Sequence, residues 1–305
     1  MGGVTQTGDF EVLPDDYSDK VFAVLLGLAD GATHAREGHE PGATELLALY
    51  VADGLLEALE WANSGVASDE AACMWLASLR AYKQLTGSFP ESAPQPLERW
   101  IDTEFAAVER PEGIAAGDPA NLSGLDSADM GYAARPTGAQ NDSTGVLPRA
   151  AVTALIARVP QANTKALAKS AAFLSHGEPA ANTAAAAALI LRSALEKSTA
   201  AAGDWQGHLK GLEGSAAEAL RGIVDTVAAS LDRPAAEAYA AYFGGADENE
   251  DEDPQAEQPR DPEADAYAVA LLAAVYGTDL IAERPASVLD DIISELHERW
   301  MGLVG

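Results

Sequence analysis

The chain has 305 residues, 48% of them hydrophobic and only 6% aromatic, with a formal net charge of −29 and one cysteine. That length allows one large domain or two small ones with a sizeable core, while the charge argues against nucleic acid or an anionic membrane as direct partner, since phosphate repels such a surface. The lone Cys73 rules out an intrachain disulfide and suits a reducing cytosol.

Alanine is abundant, which favours helices and their close packing, so the expected class is all-α. Residues 1–17 read as a polar leader carrying Asp9, Glu11, Asp15 and Asp16, without the basic and apolar regions of a signal peptide. Helical periodicity starts near Asp19. The segment 44–61 is predicted as an amphipathic helix, with Leu47, Val51, Leu55 and Ala58 on one stripe and Glu45, Asp53, Glu57 and Glu60 on the other. A helix over 68–86 ends near Gly87 and holds Cys73 in an apolar run, as a core residue and not a nucleophile. Pro90, Pro94 and Pro96 make a loop before a short helix over 96–108.

Residues 110–147, rich in Gly, Pro, Asn, Asp and Ser, form a long irregular connection of the kind that carries function or lacks order. Helices resume over 148–158 and 161–176. His176-Gly177-Glu178-Pro179 stops one helix and starts the next, an Ala-rich helix over 179–200 expected to be buried. Weaker helical patterns cover 213–230 and 233–243. The acidic run from Asp247 through Pro262 is too charged to bury and reads as a flexible loop. A buried helix follows over 263–276, and the last helix opens at Ser287, with Asp290 at the capping-box distance. Its stripe is Val288, Ile292, Leu296 and Trp300. The apolar runs 184–191 and 266–276 are shorter than a bilayer span. No segment alternates with period two and no repeat is visible. These signals describe one cytoplasmic helical bundle over 18–305.

Three segments carry a resemblance: Lys20 to Ala32 (KVFAVLLGLADGA); Arg135-Pro136-Thr137-Gly138 with Asn141 and Thr144-Gly145-Val146-Leu147-Pro148-Arg149; and Ser170 to Pro179 (SAAFLSHGEP). In this order they resemble the ADP-ribosylglycohydrolase family, and Ala268–Gly277 is similar to its final buried helix. The resemblance implies an all-α bundle that removes ADP-ribose from arginine, serine or other acceptors, using two divalent cations, usually magnesium. Hard cations need several carboxylate oxygens close together. The family takes these from a T-D-D-T motif and a G-D-T-D-T motif. Here the first becomes Pro41-Gly42-Ala43-Thr44. The second falls on Arg260 and Pro262, or, with a shift of three residues, on Glu263 and Asp265. The expectation is therefore a catalytically degenerate member lacking the dinuclear site, with Thr44, Glu263 and Asp265 as remnants should magnesium still bind.

Candidate site residues follow. Glu37 and Glu40 are the catalytic candidates, standing near the place of a family glutamate. His34 and His39, with those carboxylates, suit a single Zn or Mn ion, although solvation of a short loop explains the same residues. Arg135 and Arg149 are scarce cations able to grip a diphosphate, or to pair with a carboxylate. Gly138, Asn141, Ser143, Thr144 and Gly145 offer donors to a ribose or phosphate, as does ordinary turn chemistry. His176 joins the ligand-binding set or simply ends a helix. The partners implied are ADP-ribose or a related nucleotide, or a basic protein. The alternatives are an active hydrolase built on Glu37 or Glu40 with His34 or His39, and an acidic antagonist of a basic protein.

Overall fold

A computed structural model describes residues 13–36, 41–108, 117–244 and 260–304. Among these residues the fold is all-α, with no strand; Tyr132 and Arg135 form an isolated bridge. Glu37, His39 and Glu40, the leader up to residue 12 and the acidic run 245–259 lie outside the described residues.

Two helices form the axis of the domain. Helix α1 (Tyr17–Ala35) lies along a late helix, Pro262–Tyr276, and the two backbones touch. Gly27 and Gly31 make this possible. A Cβ at Gly31 would meet the Asp265 carbonyl carbon at 2.7 Å, and one at Gly27 would meet the Val269 oxygen at 3.1 Å. The late helix is buried from Ala266 through Val275, as its near-continuous apolar sequence requires. With the turn that follows, it runs from Pro262 to Ile281, 20 residues apolar enough by length and composition to cross a membrane. That is longer than the 266–276 run read from the sequence, but 78% of its most apolar window is buried inside the domain.

Helix α2 (Ala43–Asn63) spans the expected segment. Its polar stripe, however, is not a solvated face. Asp53 is buried under helix α3 (Glu70–Thr86) and the start of helix α4 (Trp100–Ala107), and Glu45 is buried beside Arg36. Asp53 accepts hydrogen bonds from Arg80 at 2.5 Å, Arg99 at 2.9 Å and the Trp100 indole at 2.9 Å. Helix α3 closes on Gly87 at φ +87°, a left-handed cap that suits glycine. Cys73 on α3 is half-buried, not a core residue, and burial pushes its thiol up to about 11, so it stays protonated at neutral pH.

The long connection contains a helix that composition hid, α5 (Pro119–Leu125). Helix α6 (Leu147–Thr153) stops earlier than its periodicity suggests, and the freed Leu155 carbonyl accepts the Tyr17 hydroxyl and the Trp300 indole N–H. Helix α7 (Gln161–Phe173) and the Ala-rich α8 (Glu178–Lys197) pack closely as a pair. A short unforeseen helix, α9 (Ala202–His208), leads to α10 (Ser215–Ala228) and α11 (Ala235–Gly244). The axial helix is α12, and α13 (Asp290–Val304) closes the domain. Asp290 does accept from the Ser287 N–H at 3.1 Å, as the capping spacing predicts.

Candidate functional site

The starts of α2, α5 and α12 meet, and each brings an oxygen. Asp118 caps α5 and Asp261 caps α12; each is followed by proline at the first helical position. Asp261 accepts the backbone N–H groups of Glu263 and Ala264. This fixes the first turn of α12 and turns Glu263 toward α2. There the Thr44 hydroxyl donates to Glu263 Oε1 at 2.9 Å, and the Asp118 N–H donates to the same oxygen at 2.6 Å. Gly117 has to be small here, because a Cβ would lie 2.8 Å from Glu263 Oε1 and 3.0 Å from Thr44 Oγ1.

The 143–145 segment closes the other side. Thr144 donates to Asp261 Oδ2 at 2.6 Å, and the Gly145 N–H donates to Asp118 Oδ2 at 3.0 Å. The Ser143 hydroxyl donates to the same Asp118 oxygen. Ser143 accepts in turn from His176 Nε2 at 2.8 Å, while Ser175 donates to His176 Nδ1 at 2.7 Å. These partners assign the Nε2–H tautomer to His176. Arg149 anchors the far end, donating to Ser175 Oγ at 2.6 Å, Asn121 Oδ1 at 2.8 Å and the Ala171 carbonyl at 2.7 Å.

Burial and neighbouring charges set the protonation states. Burial pushes the Glu263 carboxyl up to about 7; the Asp118 N–H and the Thr44 hydroxyl act against the rise, and the charges of Asp261 and Asp118 add to it. Asp118 behaves oppositely. Burial raises it, but the His176 ring, the Ser143 hydroxyl and the Ala120 N–H outweigh that and hold it down at about 2. His176 is fully buried, and burial lowers its pKa, which favours the neutral ring. Burial also brings Arg149 down to about 10, which still leaves it charged at neutral pH.

Of the candidates read from the sequence, Thr44, Glu263, Thr144 and Gly145 come together here. Asp265 does not join them, because Arg260 at 2.6 Å and the Tyr242 hydroxyl at 2.7 Å hold its carboxylate. Arg149 and His176 are buried beneath these residues as internal struts: both terminal nitrogens of Arg149 and His176 Nε2 donate within the protein, while the Arg149 Nε–H has no partner among the described residues. Arg135 is exposed and paired with Asp129 at 2.8 Å, away from the cleft. Gly138 and Asn141 serve packing. The Asn141 amide donates to the Ser175 carbonyl at 2.8 Å, and a Cβ at Gly138 would collide with that same carbonyl. Asp118 escaped the sequence reading. Its signal was the Asp-Pro pair of a helix start, the same pair as Asp261-Pro262.

Beside the cleft, at the α1–α2 connection, the Arg36 guanidinium forms an ion pair with buried Glu45. A Cβ at Gly42 would lie 2.6 Å from Arg36 Nη1, so the guanidinium occupies the space into which a side chain at position 42 would project.

Together these observations describe an all-α bundle with an oxygen-rich junction where three helices begin. A family model described as ADP-ribosylglycohydrolase matches residues 13–296, and the chain belongs to that family. No curated protein matches it. A solved structure described as an "ADP-ribosylglycohydrolase-related protein complex" is 17% identical, covering 96% of this chain and all of that one, with a TM-score of 0.47.

The family's chemistry implies divalent cations, and the oxygens that the described residues bring together here do not by themselves fit a pair of them. Asp118 and Asp261 each have both carboxylate oxygens engaged by protein donors, and Glu263 Oε1 already has two. Positions 42 and 43 are glycine and alanine. Among the described residues no three His, Cys, Asp or Glu side chains gather as metal ligands would.

Proposed function

We propose that this chain is a degenerate member of its family that binds ADP-ribose, or a related nucleotide, in the cleft without two-cation hydrolysis. The observation that carries this reading is Arg36, clasped by Glu45 over Gly42. The guanidinium puts positive charge, shared with the Glu45 carboxylate, beside the place of the family's lost first-motif aspartates, and charge-assisted N–H donors are what a diphosphate uses when no metal is present. The remaining carboxylates order the helix starts and the 143–145 segment, which keeps backbone and hydroxyl groups in place around the cleft.

Calorimetric titration with ADP-ribose tests it. Equal affinity is expected in EDTA and in magnesium, and Arg36→Ala is expected to weaken binding about tenfold, equivalent to roughly 1.4 kcal/mol. Magnesium-dependent release of ADP-ribose from a modified arginine or serine peptide would overturn it.

A second reading rests on Glu263. A carboxyl titrating near neutrality suits general acid catalysis, where it delivers a proton to the leaving group. It supports a metal-independent hydrolase. Under that reading, turnover persists in EDTA and disappears in Glu263→Gln.

A further inference from the structure

A cavity of about 560 Å3 lies between the C-terminal part of α1, helix α11 and the 277–285 segment. Thr44, Asp118, Asp261 and Glu263 do not line it, so it is separate from the cleft. Its volume falls within the roughly 300–1,000 Å3 of small-molecule sites.

The lining has two parts. Leu280 and Ile281 are apolar, and the His34 and Tyr239 rings also face the cavity. His34 stacks on Phe243 with centroids 3.8 Å apart, and Tyr239 lies 4.9 Å from Phe243, so the aromatic wall is braced from behind. This gives His34 a role other than the metal ligand considered from the sequence.

The charged groups of the lining are Asp30, Glu283 and Arg284. Arg284 is tied to Asp290 at 2.6 Å and to the Pro285 carbonyl at 3.2 Å. Asp30 accepts the Tyr239 hydroxyl at 2.6 Å on Oδ2, and its other oxygen has no donor among the described residues. Glu283 is exposed and makes no ion pair among the described residues. The cavity thus sets two carboxylates against one neutralised cation. An anion would be repelled, and a neutral apolar ligand would leave the carboxylates unused.

We infer that this cavity binds a small organic cation, an apolar body carrying one ammonium group. The ammonium pairs with Asp30 and Glu283, and the body lies on the Tyr239 and His34 rings against Leu280 and Ile281. Aromatic faces beside carboxylates are the usual surroundings of a recognised amine. The inference stands independently of the reading of the cleft.

The test is calorimetry on the full chain at 0.15 M salt, comparing three probes of similar shape: 2-phenylethylamine, 2-phenylethanol and 3-phenylpropionate. The amine is expected to bind at least about tenfold more tightly than the alcohol, a difference worth roughly 1.4 kcal/mol, and the carboxylate not at all. Glu283→Gln is expected to weaken the amine several-fold. Ala236→Trp, at an exposed wall position of α11, is expected to abolish binding with the melting temperature kept. Equal binding of the alcohol or the carboxylate would overturn the inference, as would unchanged amine affinity in Ala236→Trp, which signals loose attraction to an acidic surface. ADP-ribose titrated into Ala236→Trp reports on the cleft separately.

Discussion

Replacing Glu263 by glutamine removes a charge that the folded protein holds at a cost. The carboxyl stands at about 7 in the fold against 4.5 in its ordinary state, because it is buried beside Asp118 and Asp261. A group raised in this way binds more protons folded than unfolded between those two values. Its contribution is therefore most favourable below 4.5 and is lost as pH rises through 7. The full displacement corresponds to an upper bound of about 3 kcal/mol at pH 8. Structural relaxation reduces that to an expected 1–2 kcal/mol or so. Glutamine keeps an oxygen for the Thr44 hydroxyl and the Asp118 N–H while discarding the charge. Glu263→Gln should then melt roughly 2–4 °C above the parent at pH 8, with the gain fading toward zero near pH 4. Thermal unfolding followed by circular dichroism across that range measures it. A variant that melts lower at pH 8, or a difference independent of pH, would refute the electrostatic reasoning.

Other perturbations probe the supports of the site. Asp53→Asn should cost about 3–5 kcal/mol in urea unfolding, because it leaves Arg80 and Arg99 facing a neutral group in a buried cluster. Arg149→Met should cost roughly 3 kcal/mol by the same measurement, since it strands the Ala171 carbonyl and the Asn121 and Ser175 oxygens in the interior. Gly138→Ala should lose about 2 kcal/mol or more, as its Cβ would displace the Ser175 carbonyl and the turn that holds His176. Asp118, held at about 2 against 3.8, contributes stability above pH 4 that disappears as pH falls through 2. Asp118→Asn should remove roughly 1–2 kcal/mol at neutral pH and flatten the acid limb of the stability curve, as read by acid titration.

The helices were legible where periodicity or caps were strong. The segments read as 44–61, 179–200 and 263–276 stand at Ala43–Asn63, Glu178–Lys197 and Pro262–Tyr276. What periodicity cannot say is whether a polar stripe meets water. Glu45 and Asp53 looked solvated, yet arginines from elsewhere in the chain reach both. The cleft was half legible for a similar reason. Thr44 and Glu263 came from the resemblance to the family's metal motifs, whereas Asp118 contributes through tertiary position, after a stretch whose composition suggested only loop. Composition also hid α5 and α9, each too short for a periodic signal. Arg149 and His176 were residues of the right chemistry, but they are turned inward. Only the packing of α6, α7 and the loop from 137 to 145 determines that direction.

Charge accounting bears on how a cation would act on this protein. Among the described residues the buried charged groups are Lys20, Arg80, Arg149 and Arg192 against Glu45, Asp53, Asp102, Glu263 and Asp265. They nearly cancel, so almost the whole −29 is carried by the surface and by segments outside the described residues. Such a surface attracts any divalent ion, and added salt relieves its self-repulsion without any binding site. Magnesium should therefore raise the melting temperature somewhat even when the cleft holds no metal. The contribution of the cleft is separable because a bound cation would lower the Glu263 pKa. Stabilisation by surface screening should be the same in the parent and in Glu263→Gln, and calcium at matched ionic strength should reproduce it. A magnesium response that saturates at low concentration, exceeds that of calcium and is lost in Glu263→Gln would place a metal among these oxygens and end the case for a metal-free cleft.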